Sequence, residues 1–446
     1  MSLPGAFRRI ELKPLPRPVR RIKPKPMSRS VWFILLAIAA LFGGFWLFDR
    51  AEPSEGGPIT PASAAIMPVS FKNAGPEPQL ARIIAAIEMR ELDNALELTE
   101  TLLQQYPNYR LGYLIKGDLL LARAHPLPAF GAASGAPSEQ IDDLRAEAIA
   151  RLQGYRHRPR EDAVPRYLLR MNTQHAIVID TQKSRLYLYR NDDGNPSFVA
   201  DYYMSQGRLG SDKKFEGDLR TPLGVYHVTS FLSQERLAEM YGKLADQYGH
   251  GAFPINYPNA LDRLQNRTGS GIWLHGTSSD TYSRPPLASE GCVVLSNPDF
   301  DQLGQSVEIG RTPVILSHGI EWTPRSEWQN ERDELIKAFE TWRSDWESLD
   351  TELYLTHYSP QFQSRSQNFA EFAAQKRQVN RGKTWIKVKA GDLSIFRNPA
   401  MPGQGEIAVV TFRQEYASSN FANTVKKRQY WQYEDGRWRI LYEDGA

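Results

Sequence analysis

Cys292 is the only cysteine in a chain of 446 residues, and it lies in a segment whose residue types could carry out acyl transfer. The segment runs from Trp273 to Asn297 and reads WLHGTSSDTYSRPPLASEGCVVLSN. A catalytic thiol needs a base or cation that favours its thiolate form, and donors that stabilise the developing oxyanion. His275 offers a base seventeen residues before the thiol. Gly291, directly before Cys292, allows a tight turn and a close approach of substrate to backbone N–H groups.

The same residues also allow a purely structural interpretation. Free cysteine is often a small buried hydrophobic residue, so Cys292 could open the apolar strand CVVL as an inert side chain. A single cysteine excludes an internal disulfide and a zinc site built from several thiolates. The sequence contains no HExxH, Walker or dinucleotide-binding glycine motif, so we expect neither a metal nor a cofactor. For His250, in YGHGAF, a loop role is favoured over a place in the substrate cleft.

Short strands are the elements expected to position His275 and Cys292. The segment HAIVIDTQKSRLYLYR has two β-rich runs around residues 180–184 and predicts a hairpin. GIWLHG predicts a strand that ends at His275, CVVLSN predicts one that begins beside Cys292, and TPVILSHG completes the set. A histidine at the end of one strand and a cysteine in the turn before another can meet across a sheet, although spacing alone does not prove it. We expect a β-rich domain over residues 173–318.

This β-rich region resembles the catalytic domain of the L,D-transpeptidases, the YkuD-type enzymes that build or trim bacterial peptidoglycan. The resemblance rests on HGT at residues 275–277, SEGC at residues 289–292, Asn297, and the Thr-Pro-x-Gly pattern of Thr221, Pro222 and Gly224. The family pattern is His-Gly, a gap, and then Ser-His-Gly-Cys-x-Arg-x-x-Asn. Two positions depart from it: Glu290 replaces the second histidine and Val294 replaces the arginine. The first change leaves His275 as the single base, and the second leaves the handling of a substrate carboxylate without its usual arginine.

The resemblance implies a thioester mechanism on a peptidoglycan stem tetrapeptide. Cys292 would attack the amide after meso-diaminopimelate, and D-alanine would leave. His275 would take the thiol proton and return it to the leaving amine, with its tautomer held by the carbonyl of Gly276. The N–H groups of Gly291 and Cys292 would be the oxyanion donors, and Ser289 would support the site from behind or only shape the turn. The residues that bind the rest of the substrate are not identified.

The C-terminal residues 325–446 predict an α+β domain. A long amphipathic helix begins at Pro324, a second helix follows around residues 369–378, and long strands end in the hairpin YEDGRWRI. This part resembles the NTF2-like cone fold, and its combination with the catalytic domain resembles the cell-shape-determining L,D-carboxypeptidases of helical bacteria. NTF2-like domains serve both as enzymes and as binding pockets, so the fold does not decide between these roles. We expect this domain to bind or position substrate.

Residues 79–170 predict a helical region. Apolar residues recur at helical spacing from Leu80, and the segment around ELDNALELTETLLQQYPNYRLGYLIKGDLLLA resembles one tetratricopeptide-like helix pair with its successor. One repeat is a weak signal, since such units need neighbours to bury their faces. The region is therefore either a helical spacer packed on the next domain or a groove for a protein partner.

The N-terminal segments predict a membrane anchor. Residues 1–30 hold nine basic residues and one acid, and the eighteen residues 31–48 (VWFILLAIAALFGGFWLF) carry no charge. This length spans a bilayer core as a helix, and the preceding basic residues place the N-terminus in the cytoplasm. Residues 49–78 are rich in Pro, Gly, Ala and Ser and predict a linker. A cleaved signal peptide fits poorly, because the small residues 62–64 lie too far beyond the apolar run.

Together these segments predict a multidomain protein of the inner membrane whose catalytic part lies in the periplasm. Outside residues 1–30 the chain holds 45 basic and 50 acidic residues, so it offers no basic surface for nucleic acid. We expect an L,D-transpeptidase that acts on peptidoglycan stem peptides and transfers the acyl group to an amine. The alternatives are an L,D-carboxypeptidase, which trims tetrapeptide to tripeptide, and a non-catalytic wall-binding scaffold. Access of an acceptor amine separates the first two, and the sequence does not show it.

Overall fold

A computed structural model describes residues 75–132, 138–156, 159–401 and 403–445. The predicted basic tail, the predicted transmembrane helix of residues 31–48 and almost all of the linker lie outside these ranges. Among the described helices, none is long and apolar enough to cross a membrane.

The helical region begins the described chain with helices that pack on one another in sequence order. They are α1 (Glu77–Glu88), α2 (Leu92–Gln105), α3 (Arg110–Ala122) and α4 (Ser138–Arg156). Helix α2 ends before Tyr106, whose extended φ of −127° suits the residue before a proline. Leu80, Ile83, Leu102 and Ile115 are buried in a core that these helices share, so the helical spacing of apolar residues in the sequence corresponds to real packing faces.

A five-stranded sheet forms the centre of the predicted catalytic region, in the order β5-β4-β3-β13-β7. Its strands are β3 (His175–Asp180), β4 (Arg185–Asp192), β5 (Asn195–Tyr203), β7 (Gly224–His227) and β13 (Pro313–Ser317). The four central residues of strand β3, 176–179, are apolar, and both of their faces are covered. Ile177 and Ile179 enter one core cluster, while Ala176 and Val178 enter another. The predicted hairpin around residues 180–184 is the β3–β4 connection.

A second, smaller sheet carries the site, in the order β12-β10-β9-β8. Its strands are β8 (Leu232–Ser233), β9 (Gly251–Pro254), β10 (Trp273–His275) and β12 (Val293–Val294). A separate pair joins β6 (Gln206–Gly207) to β11 (Leu287–Ser289). The connections contain α5 (Gln234–Tyr241), a 3₁₀ helix (Gly242–Tyr248), α6 (Ala260–Leu264) and α7 (Asn297–Gly304).

The C-terminal domain packs helices against one face of a long sheet. It contains β14 (Trp322–Pro324), α8 (Arg325–Glu347), α9 (Thr351–Leu355), β15 (Tyr358–Gln363), α10 (Phe369–Asn380), β16 (Ile386–Arg397), β17 (Ile407–Ser418), β18 (Phe421–Glu434) and β19 (Arg437–Gly445). The predicted Asp-Gly turn lies between β18 and β19, with positive φ at both Asp435 and Gly436. Buried aromatic side chains, among them Trp328, Trp342 and Trp431, fill the space between helices and sheet.

Two short strands correct the predicted extent of the helical region. Within residues 79–170, β1 (Ala163–Pro165) pairs with β14, and β2 (Leu168–Arg170) becomes the edge strand of the C-terminal sheet beside β16. No sequence pattern predicts them, because strands of three residues show no periodicity and their partners lie far along the chain. As a result one core cluster contains side chains of the catalytic sheet, such as Val178, together with Ile407 and Tyr430 of the C-terminal sheet.

Candidate active site

His275 ends β10 and is buried, and its ring contacts the following residue. The Nδ1 atom lies 2.6 Å from the carbonyl oxygen of Gly276. A carbonyl oxygen only accepts hydrogen bonds, so Nδ1 carries the proton and Nε2 is left with its lone pair. The His275 ring and the Gly276 carbonyl, which the sequence interpretation paired, are thus in contact. The resulting tautomer leaves Nε2 able to act as a base.

Aromatic rings close one side of this imidazole. Tyr248, in the 3₁₀ helix, meets the His275 ring edge-on with 5.1 Å between ring centroids. Trp273 lies two residues earlier on β10, and its ring centroid is 5.1 Å from that of Tyr248. The sequence interpretation missed Tyr248, because residues 242–248 have no motif and reach the site only through the fold.

Burial sets the charge of the imidazole. Loss of water around the ring lowers the pKa of His275 to about 4, and the positive charge of Arg284 acts in the same direction. The hydrogen bond to Gly276 opposes this shift. His275 is therefore neutral at pH 7 and able to accept a proton.

The turn that carries Cys292 is fixed by hydrogen bonds on both sides. Gly291 has a φ of 131°, and a Cβ atom there would lie 2.7 Å from the carbonyl oxygen of Arg220, so no larger residue fits. The Ser289 hydroxyl donates to the Cys292 carbonyl at 2.6 Å and accepts from the Gly291 N–H at 3.1 Å. Thr221, from the Thr-Pro-x-Gly pattern, donates to the Gly291 carbonyl at 3.0 Å.

Two of these contacts bear on the predicted roles. Ser289 bridges the turn through the Cys292 carbonyl and the Gly291 N–H, an arrangement that fits both a supporting role behind the thiol and a role in shaping the turn. The Gly291 N–H, expected as an oxyanion donor, is engaged by Ser289 in this structure. An oxyanion that used it would have to share this donor with the serine hydroxyl or replace it.

The sheet register brings the Cys292 turn next to the strand that carries His275. Strands β10 and β12 are parallel, with Leu274 opposite Val293 and His275 opposite Val294. Cys292 directly precedes β12, and His275 ends β10. The thiol donates to the Gly271 carbonyl at 3.4 Å, and no hydrogen bond joins it to the imidazole within the described residues. Proton transfer to His275 therefore requires the sulfur to turn away from Gly271.

The thiol is held in its protonated form. Loss of water around the sulfur raises the pKa of Cys292 to about 11, despite opposing effects from the Trp273 backbone N–H and the Arg284 charge. The Glu290 carboxylate adds to the increase. Glu290, which stands at the family's histidine position, is exposed and pairs with Arg208 at 2.7 Å. At pH 7 the resting pair is a neutral thiol and a neutral imidazole.

Asn297 ties together the loops around the histidine. Its side-chain oxygen accepts from the backbone N–H of Thr277 at 3.1 Å and from that of His250 at 3.3 Å. A Cβ atom on Gly276 would overlap this oxygen, so the His-Gly pair needs its glycine. The ring of His250 points elsewhere, since its Nδ1 lies 2.8 Å from an oxygen of Asp301 at the surface.

The sequence interpretation did not identify Arg284, a cation whose charge acts on the site. Arg284 lies between β10 and β11, and its charge influences both Cys292 and His275. Val294, where the family pattern has arginine, is buried in β12. The residues around Arg284 form no recognisable sequence motif, so its relation to the site becomes visible only in the structure. The described ranges contain no cluster of three or more His, Cys, Asp or Glu side chains that could hold a metal ion.

Comparison with known proteins identifies the two folded parts. Residues 174–316 match the family model of the L,D-transpeptidase catalytic domain (YkuD), and residues 334–444 match that of the Cds6 C-terminal NTF2-like domain. No curated protein matches the chain.

Two solved structures resemble most of the described chain. Bd1075 of Bdellovibrio bacteriovorus has 27% sequence identity and a TM-score of 0.55, and the match covers 64% of this chain and 98% of that one. Pgp2, a helical cell shape determining protein from Campylobacter jejuni, has 26% identity and a TM-score of 0.51, covering 64% of this chain and 92% of its own. The chain therefore combines an L,D-transpeptidase-type catalytic domain with an NTF2-like domain, as the sequence resemblance predicted.

Proposed function

We propose that this chain is a peptidoglycan L,D-transpeptidase that forms an acyl-thioester on Cys292. One observation carries the proposal: inside the L,D-transpeptidase-type domain, parallel pairing of β10 and β12 brings the turn of the only thiol beside the strand that ends in a neutral histidine, whose Nδ1 is held by the Gly276 carbonyl. A buried structural cysteine would need neither the fixed glycine turn nor the oriented imidazole.

The reaction begins with attack of the Cys292 sulfur on the amide carbonyl after meso-diaminopimelate of a tetrapeptide stem. As the S–C bond forms, the thiol proton passes to Nε2 of His275, and the carbonyl oxygen becomes an oxyanion near the Gly291 turn. His275 then gives the proton to the amide nitrogen, the C–N bond breaks, and D-alanine leaves. The thioester is resolved by an amine, which makes a crosslink, and the thiol is restored.

The pKa values of Cys292 and His275 indicate how the thiol is activated. A preformed thiolate–imidazolium pair would need the pKa of the thiol to lie below that of the imidazole, whereas here they are about 11 and about 4. Deprotonation of Cys292 is therefore coupled to its attack on the substrate. Little thiolate is then present at pH 7, so we expect the resting thiol to react slowly with electrophiles.

An L,D-carboxypeptidase is the second candidate, because water can resolve the same thioester. The likeness to a helical cell shape determining protein supports a role in the cell wall and is compatible with either outcome. A non-catalytic wall-binding scaffold is the third, and the retained His275, Gly291 and Cys292 argue against it.

The proposed location follows from the N-terminal sequence. Residues 31–48 would span the inner membrane, with the basic residues 1–30 in the cytoplasm and the catalytic domain in the periplasm. This arrangement would hold the enzyme beside the peptidoglycan layer.

The test incubates the full-length protein in detergent with muropeptides that carry tetrapeptide stems, followed by mass spectrometry. We expect a covalent adduct on the wild type, crosslinked dimers as product, and neither with the Cys292→Ala variant. Tripeptides without dimers would identify the carboxypeptidase instead. Absence of both adduct and product would overturn the enzyme proposal.

A further inference from the structure

A long connection joins the two residues assigned to the reaction, His275 and Cys292. It runs from Gly276 to Gly291, and its only regular element is β11. Irregular chain lacks a ladder of backbone hydrogen bonds, so contacts with neighbouring elements must hold it in one position. The Cys292 turn lies at the end of this connection, where Ser289 bridges it. The placement of the thiol therefore depends on what holds the connection.

Arg151 of helix α4 holds the middle of this connection from the side of the helical region. Its Nη2 donates to the Tyr282 carbonyl at 3.3 Å. Its guanidinium also lies over the ring of Tyr203, the last residue of β5, at 4.0 Å from the ring centroid. The planar face of an arginine stacks on an aromatic ring while its edge donates hydrogen bonds, so this one side chain fixes both tyrosines.

Arg151 is itself fixed in place. Its side chain is only 2% exposed, and its Nε and Nη2 lie 2.9 and 2.8 Å from one carboxylate oxygen of Glu147, one turn earlier on α4. Glu77 of α1 forms a second ion pair with it. A buried arginine between two carboxylates cannot move without leaving charges unpaired. Arg151 is therefore a rigid support for the residues it contacts.

The contacts of Arg151 continue along the connection towards the thiol. The hydroxyl of Tyr203 donates to the Arg284 carbonyl at 2.7 Å. Strand β6 then pairs with β11, which ends at Ser289. The Ser289 hydroxyl donates to the Cys292 carbonyl at 2.6 Å. A continuous series of contacts and paired strands thus links the buried arginine to the Cys292 turn.

The helical region supports the same stretch at two further points. The Leu111 N–H of α3 donates to the Ser283 hydroxyl at 3.0 Å. The ring of Tyr106, which follows α2, meets the Tyr282 ring edge-on with 5.1 Å between centroids. Three helices of this region therefore contribute to the position of residues 282–284.

We propose that Arg151 is a positioning residue for Cys292, and that the helical region is a structural part of the catalytic unit. Arg151 acts through Tyr282 and Tyr203, and the connection transmits its effect to the Cys292 turn. The inference rests on the proposed function, in which the sulfur attacks an amide carbonyl. A displacement of about 1 Å can slow such a step about 10²-fold, so a fixed turn has a catalytic benefit.

The test exchanges Arg151 for lysine in the full-length protein. Arg151→Lys keeps the charge opposite Glu147, but an ammonium lacks the planar fork and should lose both the Tyr282 carbonyl and the Tyr203 ring. We expect thioester formation at saturating tetrapeptide to slow about 10–100-fold, because the sulfur is misplaced. The tetrapeptide concentration that gives half the maximal rate should stay the same, because Arg151 takes no part in binding. Rapid quenching followed by mass spectrometry measures both quantities.

A second measurement does not need the reaction. Burial raises the pKa of Cys292 to about 11. A loosened turn lets water reach the sulfur, which lowers this pKa towards the ordinary value of about 8.5. Alkylation by iodoacetamide at pH 8 should therefore become faster in Arg151→Lys, while thioester formation becomes slower. A variant that is only less stable, and still folded at the assay temperature, should change neither rate.

Arg185→Lys is the matched control. Arg185 is a second buried arginine beside α4, where Gly154 packs against its guanidinium, but its hydrogen bond goes to Asp201 on β5. The control should leave the rates of thioester formation and alkylation unchanged, including when its melting temperature falls as far as that of Arg151→Lys. If Arg151→Lys does not fold, the double variant Arg151→Met/Glu147→Met replaces it, because loss of a whole buried ion pair is often tolerated.

The outcomes separate this proposal from the proposed function. Wild-type rates in a folded Arg151 variant, equal changes in Arg185→Lys, or failure of both Arg151 variants to fold would overturn the positioning role. A wild-type protein that forms no thioester would overturn the proposed function, and the alkylation rates would still decide the role of Arg151.

Discussion

At the scale of single residues, the pKa of Cys292 makes a prediction about its chemistry. Only the thiolate reacts with iodoacetamide, and the pKa is raised to about 11. The alkylation rate of the full-length protein should rise about tenfold per pH unit between pH 7 and pH 10. Mass spectrometry after timed quenching measures it, with Cys292→Ala as the blank. A rate that levels off below pH 8 would mean that a thiolate–imidazolium pair exists at rest.

His275 and His250 form a matched pair for mutation. His275→Ala removes the base and should slow thioester formation by about 10²–10⁴-fold. His250→Ala should have little effect, because its ring pairs with Asp301 at the surface, 2.8 Å away. Each variant is mixed with the tetrapeptide and quenched at short times, and the amount of covalent adduct gives the rate of thioester formation. If His250→Ala slowed thioester formation more than His275→Ala, the assignment of His275 as the base would be wrong.

The residues at the site differ in how far sequence can reveal them. His275, Gly276 and Cys292 form a short motif, so their types and spacing suffice to select them. Tyr248 and Arg284 contribute through contacts with residues that are distant along the chain, such as the hydroxyl of Tyr203 on Arg284. Such contacts leave no local pattern, and only the fold brings them together.

At the scale of elements, the segment between β10 and β11 should depend on the helical region. Ser283→Ala leaves the buried Leu111 N–H without its acceptor, which costs about 1–3 kcal/mol of stability and loosens the position of Arg284. We expect a lower melting temperature and slower thioester formation with the tetrapeptide, measured by thermal unfolding and by rapid quenching with mass spectrometry.

Ser279→Ala is the control for this prediction. Its hydroxyl lies on the same connection but donates to exposed Asp246 at 2.8 Å, outside the helical contact. An equal effect of both serine variants on thioester formation would show that the anchor on α3 has no special part in shaping the site.

The elements themselves were predictable where a pattern extends over several residues. The alternating and continuous apolar runs of β3, β4 and β13 and the amphipathic helix α8 were found from the sequence, and α8 begins at Arg325, directly after the expected Pro324. Strands β1 and β2 were missed, since three residues cannot show a period. Their pairing depends on partners such as Pro324, opposite Ala163.

At the scale of the whole molecule, the N-terminal segments should act as an anchor that catalysis does not need. Deleting residues 1–50 removes the apolar run, while all contacts described around Cys292 involve residues beyond 105. We expect the shortened protein to leave the membrane fraction and to form the thioester at an unchanged rate. Membrane fractionation measures the release, and the rate of adduct formation with the tetrapeptide measures catalysis. Slower acylation by the released protein would show that the anchor contributes to the site.

The C-terminal domain differs from the anchor, because its removal should damage the catalytic domain. Val178 and Tyr187 of the catalytic sheet share a buried cluster with Ile407 and Tyr430. Deleting residues 325–446 would expose that face, and each large side chain that loses its cover costs roughly 1.5–3 kcal/mol. Several such losses together are comparable with the roughly 5–15 kcal/mol that typically stabilise a domain. We therefore expect a much lower melting temperature, aggregation, and loss of thioester formation together with loss of action on intact peptidoglycan. A truncated protein that stays folded and acylates small muropeptides, yet fails on the polymer, would instead assign the domain to substrate binding alone.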